Sequence, residues 1–567
     1  MEIEKIIKAA KGEEIADIVI KNANIINVLS GDIHRGDVAV VNGKIIGIGN
    51  DYKGKEEIDI NGSYLSPSFL DGHVHLESAM ISPYEYAKAV IPSGTTTVIA
   101  DPHEISNVLG LQGISFMRDA TRTLPLDVYM MLPSCVPATD METSGSKLSA
   151  SDLSIFIKKQ WVLGIGEMMN FPGVLSGDQT VINKITLPVS KRVDGHAPGL
   201  TGKDLCAYIS TGISSDHECI SVEEAREKLR MGLYIMIREG TVAKDLDSLL
   251  PVVDSNNSRR CFFVTDDRYP HDLYDHINSM VRRAVKYGIH PLTAIQMASI
   301  NTAEYFKIPN LGAVAPGYQA DMLVFDNLSD FKPSMVFKKG QLIAKNGKFL
   351  AKDNGYTLPE TRGSVNVKWI EKDNFKIKAE SDKIKVINVT GNKLITLGSI
   401  EKTNIVAGFA ESDTENDILK IAIIERHKAT GNIGLGFVKG LGLKSGAIAS
   451  TVAHDSHNMV IIGTNDDDMY YAAVELVKSQ GGKIVVENGK TLEKLPLPVA
   501  GLISDLSIEE VMEKLRSLVK STKQLGCKLD DAFMNMAFLS LPVIPDLKIT
   551  DKGLIDVNKF EITSIFV

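Results

Sequence analysis

The feature that most constrains the fold is a series of eight short apolar runs between residues 66 and 305. Amphipathic stretches separate the runs, which is typical of a parallel sheet with crossover helices. In a (β/α)8 barrel the carboxyl ends of the strands face one mouth, where active sites lie. Nearly every run ends in a polar or ionisable residue, so we predict an α/β protein built around a (β/α)8 TIM-like barrel over residues 66–305. The runs are SPSFLDGHVH, TTTVIADPH, LDVYMMLPS, VLGIGEMM, LPVSKRVDGHA, GISSDHE, LYIMIREG and CFFVTDD.

Strand-like segments flank the predicted barrel on both sides. Residues 1–65 contain Val- and Ile-rich stretches separated by Asn-Gly pairs at positions 42–43 and 61–62, which are typical of hairpin turns. Similar stretches return over residues 306–360, and we expect the two segments together to form a small β-sandwich domain. Residues 352–365 are polar with Gly and Pro and predict a linker. The remainder, residues 361–567, predicts a C-terminal α/β domain.

Composition restricts the class of partner and the compartment. The chain has 62 Lys and Arg against 71 Asp and Glu, a formal charge of −9, which argues against a nucleic-acid partner. An uninterrupted apolar stretch of membrane-spanning length is lacking, so no membrane association is expected. The five cysteines are dispersed without a C-x-x-C pair, which favours a reducing compartment. Because the N-terminus also lacks the apolar core of a signal peptide, we predict a cytoplasmic protein.

Histidines and carboxylates stand at the ends of five of the eight runs. His73 and His75 end the first run, and residues at i and i+2 of a strand point the same way. Imidazole nitrogens and carboxylate oxygens suit divalent ions such as Zn, Mn or Fe. Six ligands exceed the needs of one tetrahedral ion, so we predict two divalent metal ions bridged by Glu167. Asp267 is the alternative to Asp266 as the last ligand. The predicted set is His73, His75, Glu167, His196, His217 and Asp266.

Several motifs resemble those of a known superfamily. SFLDGHVH, the VTDD tip and the closing GAVAPGYQADMLVF resemble the amidohydrolase superfamily. DGHVHLESAM, TTTVIADPHEISNVLG, GIGEMMNFPGV and AIASTVAHDSHN are similar to the adenine deaminases within it, and the resemblance extends over essentially the full chain. Superfamily members with a lysine on the fourth strand carboxylate it to bridge the metals, whereas this chain has Glu167 there. Ser68 occupies a turn position where many members carry Gly.

The resemblance implies hydrolytic deamination of adenine to hypoxanthine and ammonia, a reaction of purine salvage. It implies a binuclear centre of Mn(2+) or Fe(2+), with Zn(2+) as a further option, that supplies an activated hydroxide. Asp266 is expected to act as general base and then acid. Glu167 could help to move the proton to a ring nitrogen.

Four further residues are candidates near the predicted mouth. His103 could hold the attacking hydroxide, contact substrate or merely shape a loop. Glu104, Ser134 and Arg238 are candidates for substrate binding, although Arg238 could instead pair with a barrel carboxylate. Cys135 is not expected to be a nucleophile, since no base is evident beside it and the metal hydroxide already supplies one.

The C-terminal region contains one notable motif, the H-x-x-H of His454 and His457. These histidines could approach the barrel mouth, hold another ion or cap a helix at a domain interface, and the sequence leaves the three alternatives open.

Two other functions compete with adenine deamination. The first is another amidohydrolase activity, on a cyclic amide such as dihydroorotate or on an acetylated amino sugar. The second is a non-catalytic barrel that serves as a scaffold, which all six predicted ligands argue against. We also expect a homo-oligomer, a dimer or larger.

Overall fold

The structure is a computed structural model that describes residues 2–352, 355–391 and 395–567. Two residues of the predicted linker, 353 and 354, lie outside this part of the chain. At the predicted Asn42-Gly43 turn both residues have positive φ, 51° and 73°, as a tight hairpin requires. The first flanking segment comprises α1 (Glu2–Ala10), β1 (Ala16–Asn27), β2 (Asp32–Val41), β3 (Lys44–Gly49), β4 (Gly54–Asp59) and β5 (Tyr64–Pro67).

The predicted apolar runs form parallel strands. β6 to β10 pair in sequence as one five-stranded sheet, and β11 to β13 pair as a three-stranded sheet. Ser214 donates its backbone N–H to the Val193 carbonyl (3.1 Å), and Asp266 donates to the His73 carbonyl (3.0 Å). These bonds link the two sheets at both ends. The strands are β6 (Phe69–Val74), β7 (Thr95–Ala100), β8 (Asp127–Leu132), β9 (Val162–Met168), β10 (Arg192–Gly195), β11 (Ser215–Asp216), β12 (Tyr234–Arg238) and β13 (Cys261–Val264).

Helices alternate with these strands and cover them. All residues of β6 and β7 are buried, as expected of parallel strands covered on both faces. Side-chain caps fix several helix starts; Ser82 Oγ, for example, accepts the Glu85 N–H. The helices are α2 (Pro83–Val90), α3 (His103–Leu109), α4 (Leu111–Thr121), α5 (Ala150–Ile157), α6 (Phe171–Ser176), α7 (Gln179–Ile185), α8 (Gly202–Ser210), α9 (Val222–Arg230), α10 (Leu246–Leu249), α11 (Ile277–Tyr287), α12 (Pro291–Met297) and α13 (Ile300–Tyr305).

The two flanking segments pair with each other in one nine-stranded sheet. β14 pairs antiparallel with β5, so that Val324 lies opposite Leu65. Apolar residues from both segments, including Val40 and Phe337, share one buried cluster. The second segment contributes β14 (Met322–Phe325), β15 (Met335–Lys338), β16 (Gln341–Lys345) and β17 (Lys348–Phe349).

The C-terminal region is built on an eight-stranded mixed sheet with the order β20-β19-β24-β23-β26-β25-β27-β28. Two smaller sheets, β18-β22-β21 and β29-β30-β31, accompany it. The strands of the whole region are β18 (Ile377–Lys378), β19 (Lys383–Val389), β20 (Thr396–Lys402), β21 (Asn404–Val406), β22 (Phe409–Glu411), β23 (Ile418–Ile424), β24 (Ile433–Lys439), β25 (Ala447–Ser450), β26 (Met459–Gly463), β27 (Gly482–Glu487), β28 (Lys490–Pro496), β29 (Leu547–Thr550), β30 (Gly553–Asp556) and β31 (Glu561–Thr563). Its helices are α14 (Asp466–Lys478), α15 (Ile508–Gln524) and α16 (Ala532–Met536).

This region contacts the loop that follows β8. Thr550 Oγ1 donates to the Met141 carbonyl (2.6 Å), and Asp551 accepts the Thr143 N–H (2.8 Å). The C-terminal region therefore lies beside the carboxyl ends of the parallel strands. In the described part of the chain, none of the helices combines the length and the apolar character that crossing a bilayer requires.

Candidate metal centre

The six predicted ligands lie in one cluster at the carboxyl ends of the parallel strands, and all but the partly exposed His196 are buried. His73 belongs to β6 and His75 follows it, and their rings are 4.7 Å apart between centroids. Asp266, which follows β13, places Oδ1 3.1 Å from His75 Nε2 and 3.5 Å from His73 Nε2. Residues from opposite ends of the strand series thus meet at one point.

Glu167 lies between two pairs of histidines. Its Oε1 is 3.3 Å from His75 Nε2 and 3.8 Å from His73 Nε2. Its Oε2 is 2.7 Å from His196 Nδ1 and 3.2 Å from His217 Nε2. Burial would raise the pKa of Glu167, but hydrogen bonds with His196 and His217 hold that pKa well below its usual range. Each carboxylate oxygen therefore faces its own group of ligands.

The cluster fits divalent metal ions. His73 Nε2 is buried without a hydrogen-bond partner among the residues that the structure describes, as expected of an atom reserved for a ligand. His75 Nδ1 lies 2.9 Å from the Asp101 carbonyl and can only donate to it, which leaves the Nε2 lone pair facing the cluster. The His73–His75–Asp266 and His73–Glu167–His217 groups each place their donor atoms within 4.8 Å of one another. Imidazole nitrogen with carboxylate oxygen is a donor set that Mn, Fe and Zn accept.

The two adjacent aspartates differ in what they contact. Asp266 faces the histidines and has a φ of 59°, a conformation that costs a non-glycine residue energy. The Asp267 carboxylate instead accepts a hydrogen bond from Ser78. Burial, reinforced by the Asp266 charge, raises the pKa of Asp267. Of the two alternatives left by the sequence, Asp266 is the one placed among the predicted ligands.

Arg238, at the end of β12, is surrounded by carboxylates. It pairs with Glu218, with Asp245 at 2.9 Å and with Asp266 Oδ2 at 3.1 Å. These contacts match the ion-pair alternative for this residue. Glu218 was not among the predicted site residues, yet its Oε1 lies 3.5 Å from His217 Nε2. Its position directly after His217, at the end of the same strand, could have identified Glu218 from the sequence.

His103 contacts the cluster from the start of α3. Its Nδ1 is 3.4 Å from Glu167 Oε1, and its Nε2 is 3.4 Å from Glu104 Oε1. Its neighbour Cys135 is buried, which raises the pKa of the thiol to about 12, and a protonated thiol is a poor nucleophile. Ser134 donates its hydroxyl to the Glu167 carbonyl, and so contacts the backbone of the ligand.

Asp101, at the end of β7, is a second residue that the sequence interpretation missed. Its carbonyl accepts from His75, and its Oδ2 accepts the Glu167 N–H at 3.1 Å. It thereby orients two of the predicted ligands at once. Its position in the DPH tip of the second run was the available signal.

The C-terminal histidines reach this site. His454 Nδ1 and His457 Nε2 each contact one oxygen of Glu104, and all three side chains are buried. The structure thus places the H-x-x-H motif at the mouth of the parallel strands, the first of the three alternatives.

Two family models match parts of this chain. Residues 64–343 match the model of the amidohydrolase family, and residues 393–561 match the adenine deaminase C-terminal domain. Among solved structures, an enamidase (19% identity, TM-score 0.46) covers 57% of this chain and 95% of its own. An L-hydantoinase from Arthrobacter aurescens (14%, TM-score 0.45) covers 60% of this chain and 98% of its own.

Curated relatives match over the whole length. "Adenine deaminase 2" of Carboxydothermus hydrogenoformans is 48% identical over 568 residues, covering 99% of each chain. "Adenine deaminase" of Desulfatibacillum aliphaticivorans is also 48% identical, again over 99% of each chain. An enzyme of the same name from Clostridium acetobutylicum gives the same identity and coverage. Identity of 48% over 99% of each chain shows that the protein belongs to the adenine deaminase family of amidohydrolases.

Proposed function

We propose that this chain hydrolyses adenine to hypoxanthine and ammonia, a reaction of purine salvage, with two divalent metal ions as cofactors. The observation that carries the proposal is the position of Glu167, whose two oxygens face separate pairs of histidines. The curated relatives, 48% identical over 99% of the chain, support adenine as the substrate.

The proposed ligands divide into two groups around that carboxylate. His73, His75 and Asp266 would hold one ion and His196 and His217 the other, and Glu167, which faces both groups, would contribute to each. Mn(2+) or Fe(2+) is the proposed metal, and Zn(2+) suits the same donors. When bound, such ions would supply hydroxide at neutral pH by lowering the pKa of water.

Asp266 is the proposed general base and acid. Its Oδ1 faces the histidine cluster while Arg238 holds its Oδ2, so the carboxylate is oriented before substrate arrives. The carboxylate accepts a proton from the attacking water and passes it to the amino group, so that the C–N bond breaks and ammonia leaves once the C–O bond has formed. Glu167 and His103 are proposed as further catalytic residues: Glu167 helps to move a proton to a ring nitrogen, and His103 holds the attacking hydroxide or contacts the substrate.

The three residues predicted to bind substrate contact other side chains or the backbone of the site. We propose that Arg238 orients Asp266 and Glu218, and that Ser134 fixes the backbone of Glu167 through its hydroxyl. Glu104 is proposed to orient His103. Glu218, whose side chain is 15% exposed, is the added candidate for contact with the purine.

We also propose that the chain has three domains, one of them a closed barrel. The hydrogen bonds that link β10 to β11 and β13 to β6 support a closed (β/α)8 barrel over residues 66–305. The nine-stranded sheet supports one small β-domain assembled from residues 1–65 and 306–360. The C-terminal α/β domain then spans residues 361–567.

An ammonia-release assay tests the function. Protein stripped of metal and reconstituted separately with Mn, Fe and Zn is given adenine, adenosine or dihydroorotate. Ammonia from adenine but not from adenosine supports the proposal. Ring opening of dihydroorotate without ammonia from adenine would favour the cyclic-amide alternative, and inactivity with every metal would favour a scaffold.

A further inference from the structure

Glu104 is a buried carboxylate whose oxygens are both taken by the C-terminal region. His454 Nδ1 contacts Oε1 and His457 Nε2 contacts Oε2, and the exposed fraction of Glu104 is only 2%. A buried charge is tolerated when it is paired and hydrogen-bonded, and the two rings meet that requirement. They also leave Glu104 one orientation, in which Oε1 lies 3.4 Å from His103 Nε2.

The two histidines are themselves held in place. The His454 ring stacks on Phe538 with 4.5 Å between centroids and a 9° interplanar angle. The backbone N–H of Ala453 donates to His457 Nδ1 at 3.1 Å. Because that N–H can only donate, His457 Nδ1 carries the lone pair and the ring proton resides on Nε2. Burial lowers the pKa of His457 to about 4, so the ring is neutral near pH 7.

This tautomer decides between two functions for the cluster. Glu104, His454 and His457 have the residue types of a metal site, and their donor atoms lie within 4.8 Å of one another. A metal ion requires the Nε2 lone pair, however, and in His457 that nitrogen carries the proton. The cluster is therefore a hydrogen-bonded support for Glu104 and not a third metal site.

We propose that His454 and His457 are positioning residues that fix Glu104 and, through it, His103. His103 Nδ1 in turn lies 3.4 Å from Glu167 Oε1, so the chain of contacts runs from the C-terminal region to the metal centre. The inference rests on the adenine deamination proposed above. It assigns the C-terminal region a function in turnover: without it, Glu104 loses the two contacts that orient its carboxylate toward His103 Nε2.

The test uses full-length enzyme and atom-matched variants. His457→Ala is expected to lower kcat for ammonia release roughly 10–100-fold, as loss of a supporting hydrogen bond does, with KM and metal content unchanged. His457→Gln places an amide N–H near the former Nε2 and should restore most of the loss, whereas the shorter His457→Asn should not. At position 454 the opposite order is expected: His454→Asn should restore most of the loss and His454→Gln should not, because the Asn amide lies near the former Nδ1.

A double variant separates positioning from general loop damage. If His457 acts through Glu104, then Glu104→Gln with His457→Ala loses no more kcat than Glu104→Gln alone. His427→Ala is the matched control, since His427 bonds to the Ser456 carbonyl in the same loop without contacting Glu104. It should lower Tm while kcat stays near that of the parent.

Three results would overturn the inference: unchanged kcat in His457→Ala and His454→Ala, equal losses in His427→Ala, or additive losses in the double variant. Bound metal beyond two equivalents that disappears in His457→Ala would instead establish the third metal site. If the parent enzyme releases no ammonia from adenine, the proposed function fails, and that outcome is distinct from all of these.

Discussion

His457 and Glu104 are separated by 353 residues in the chain, yet they are joined by a hydrogen bond in the fold. Glu104 is the second residue of α3, the first helix after β7, and His457 lies just before β26. Their contact brings the C-terminal region to within two further contacts of Glu167. The parallel-strand domain and the C-terminal region therefore share one site.

Glu167→Gln should abolish turnover and weaken metal retention. The amide keeps the shape of the side chain but removes the charge that both groups of ligands face. Ammonia release and bound metal per chain are the measurements. Glu223→Gln, on the exposed surface of α9, is the control and should match the parent. Normal turnover in Glu167→Gln would contradict the assignment of Glu167 as a metal ligand.

Asp266→Asn and Asp267→Asn should behave differently. Loss of a general base lowers kcat by about 10²–10⁴-fold, so Asp266→Asn is expected in that range. Asp267 contacts Ser78 and lies outside the ligand contacts, so its variant should keep most of its activity. Steady-state kinetics of the pair decides the assignment, and the reverse order would transfer the role to Asp267.

Arg238→Gln should destabilise the protein as well as inactivate it. The substitution leaves Glu218, Asp245 and Asp266 without their shared cation, and breaking a buried ion pair costs about 3–5 kcal/mol. Denaturant unfolding measures the loss. Arg516→Gln removes an exposed cation paired with Glu513 and should change stability little. Equal stability of the two variants would contradict the assignment.

Removal of metal should lower both activity and Tm. Several ligand side chains crowd around Glu167, and a bound ion stabilises only the folded state, in which these ligands converge. Thermal unfolding with and without chelator gives the shift, and titration of the stripped enzyme should recover activity at about two equivalents. Full recovery at one equivalent would contradict the proposed binuclear centre.

Lys483→Met should alter the dependence of stability on alkaline pH. Burial lowers the pKa of Lys483 from 10.5 to about 8. Between these values the unfolded chain binds more protons than the folded chain, so rising pH favours folding. The parent should therefore gain stability relative to Lys483→Met as pH rises from 8 to 10. Lys490→Met, at an exposed position, should follow the parent, and parallel curves for all three proteins would refute the effect.

The sequence by itself determined the local geometry and the donor set. The i, i+2 spacing of His73 and His75 places both rings on one side of a strand, whatever the strand packs against. The Asn42-Gly43 turn follows from backbone preference, and the apolar runs with polar tips predicted parallel strands whose ends meet. These properties depend on near neighbours in the chain, so spacing and residue type suffice to predict them.

Only the tertiary structure decided which distant groups pair. Arg238 forms ion pairs with three carboxylates, and Glu218 lies beside His217. His454 and His457 each form a hydrogen bond with Glu104. Such contacts depend on how whole domains pack and on which nitrogen of a ring carries its proton. Neither property is encoded in local spacing, because burial and hydrogen bonding between residues hundreds of positions apart arise only when the chain is folded.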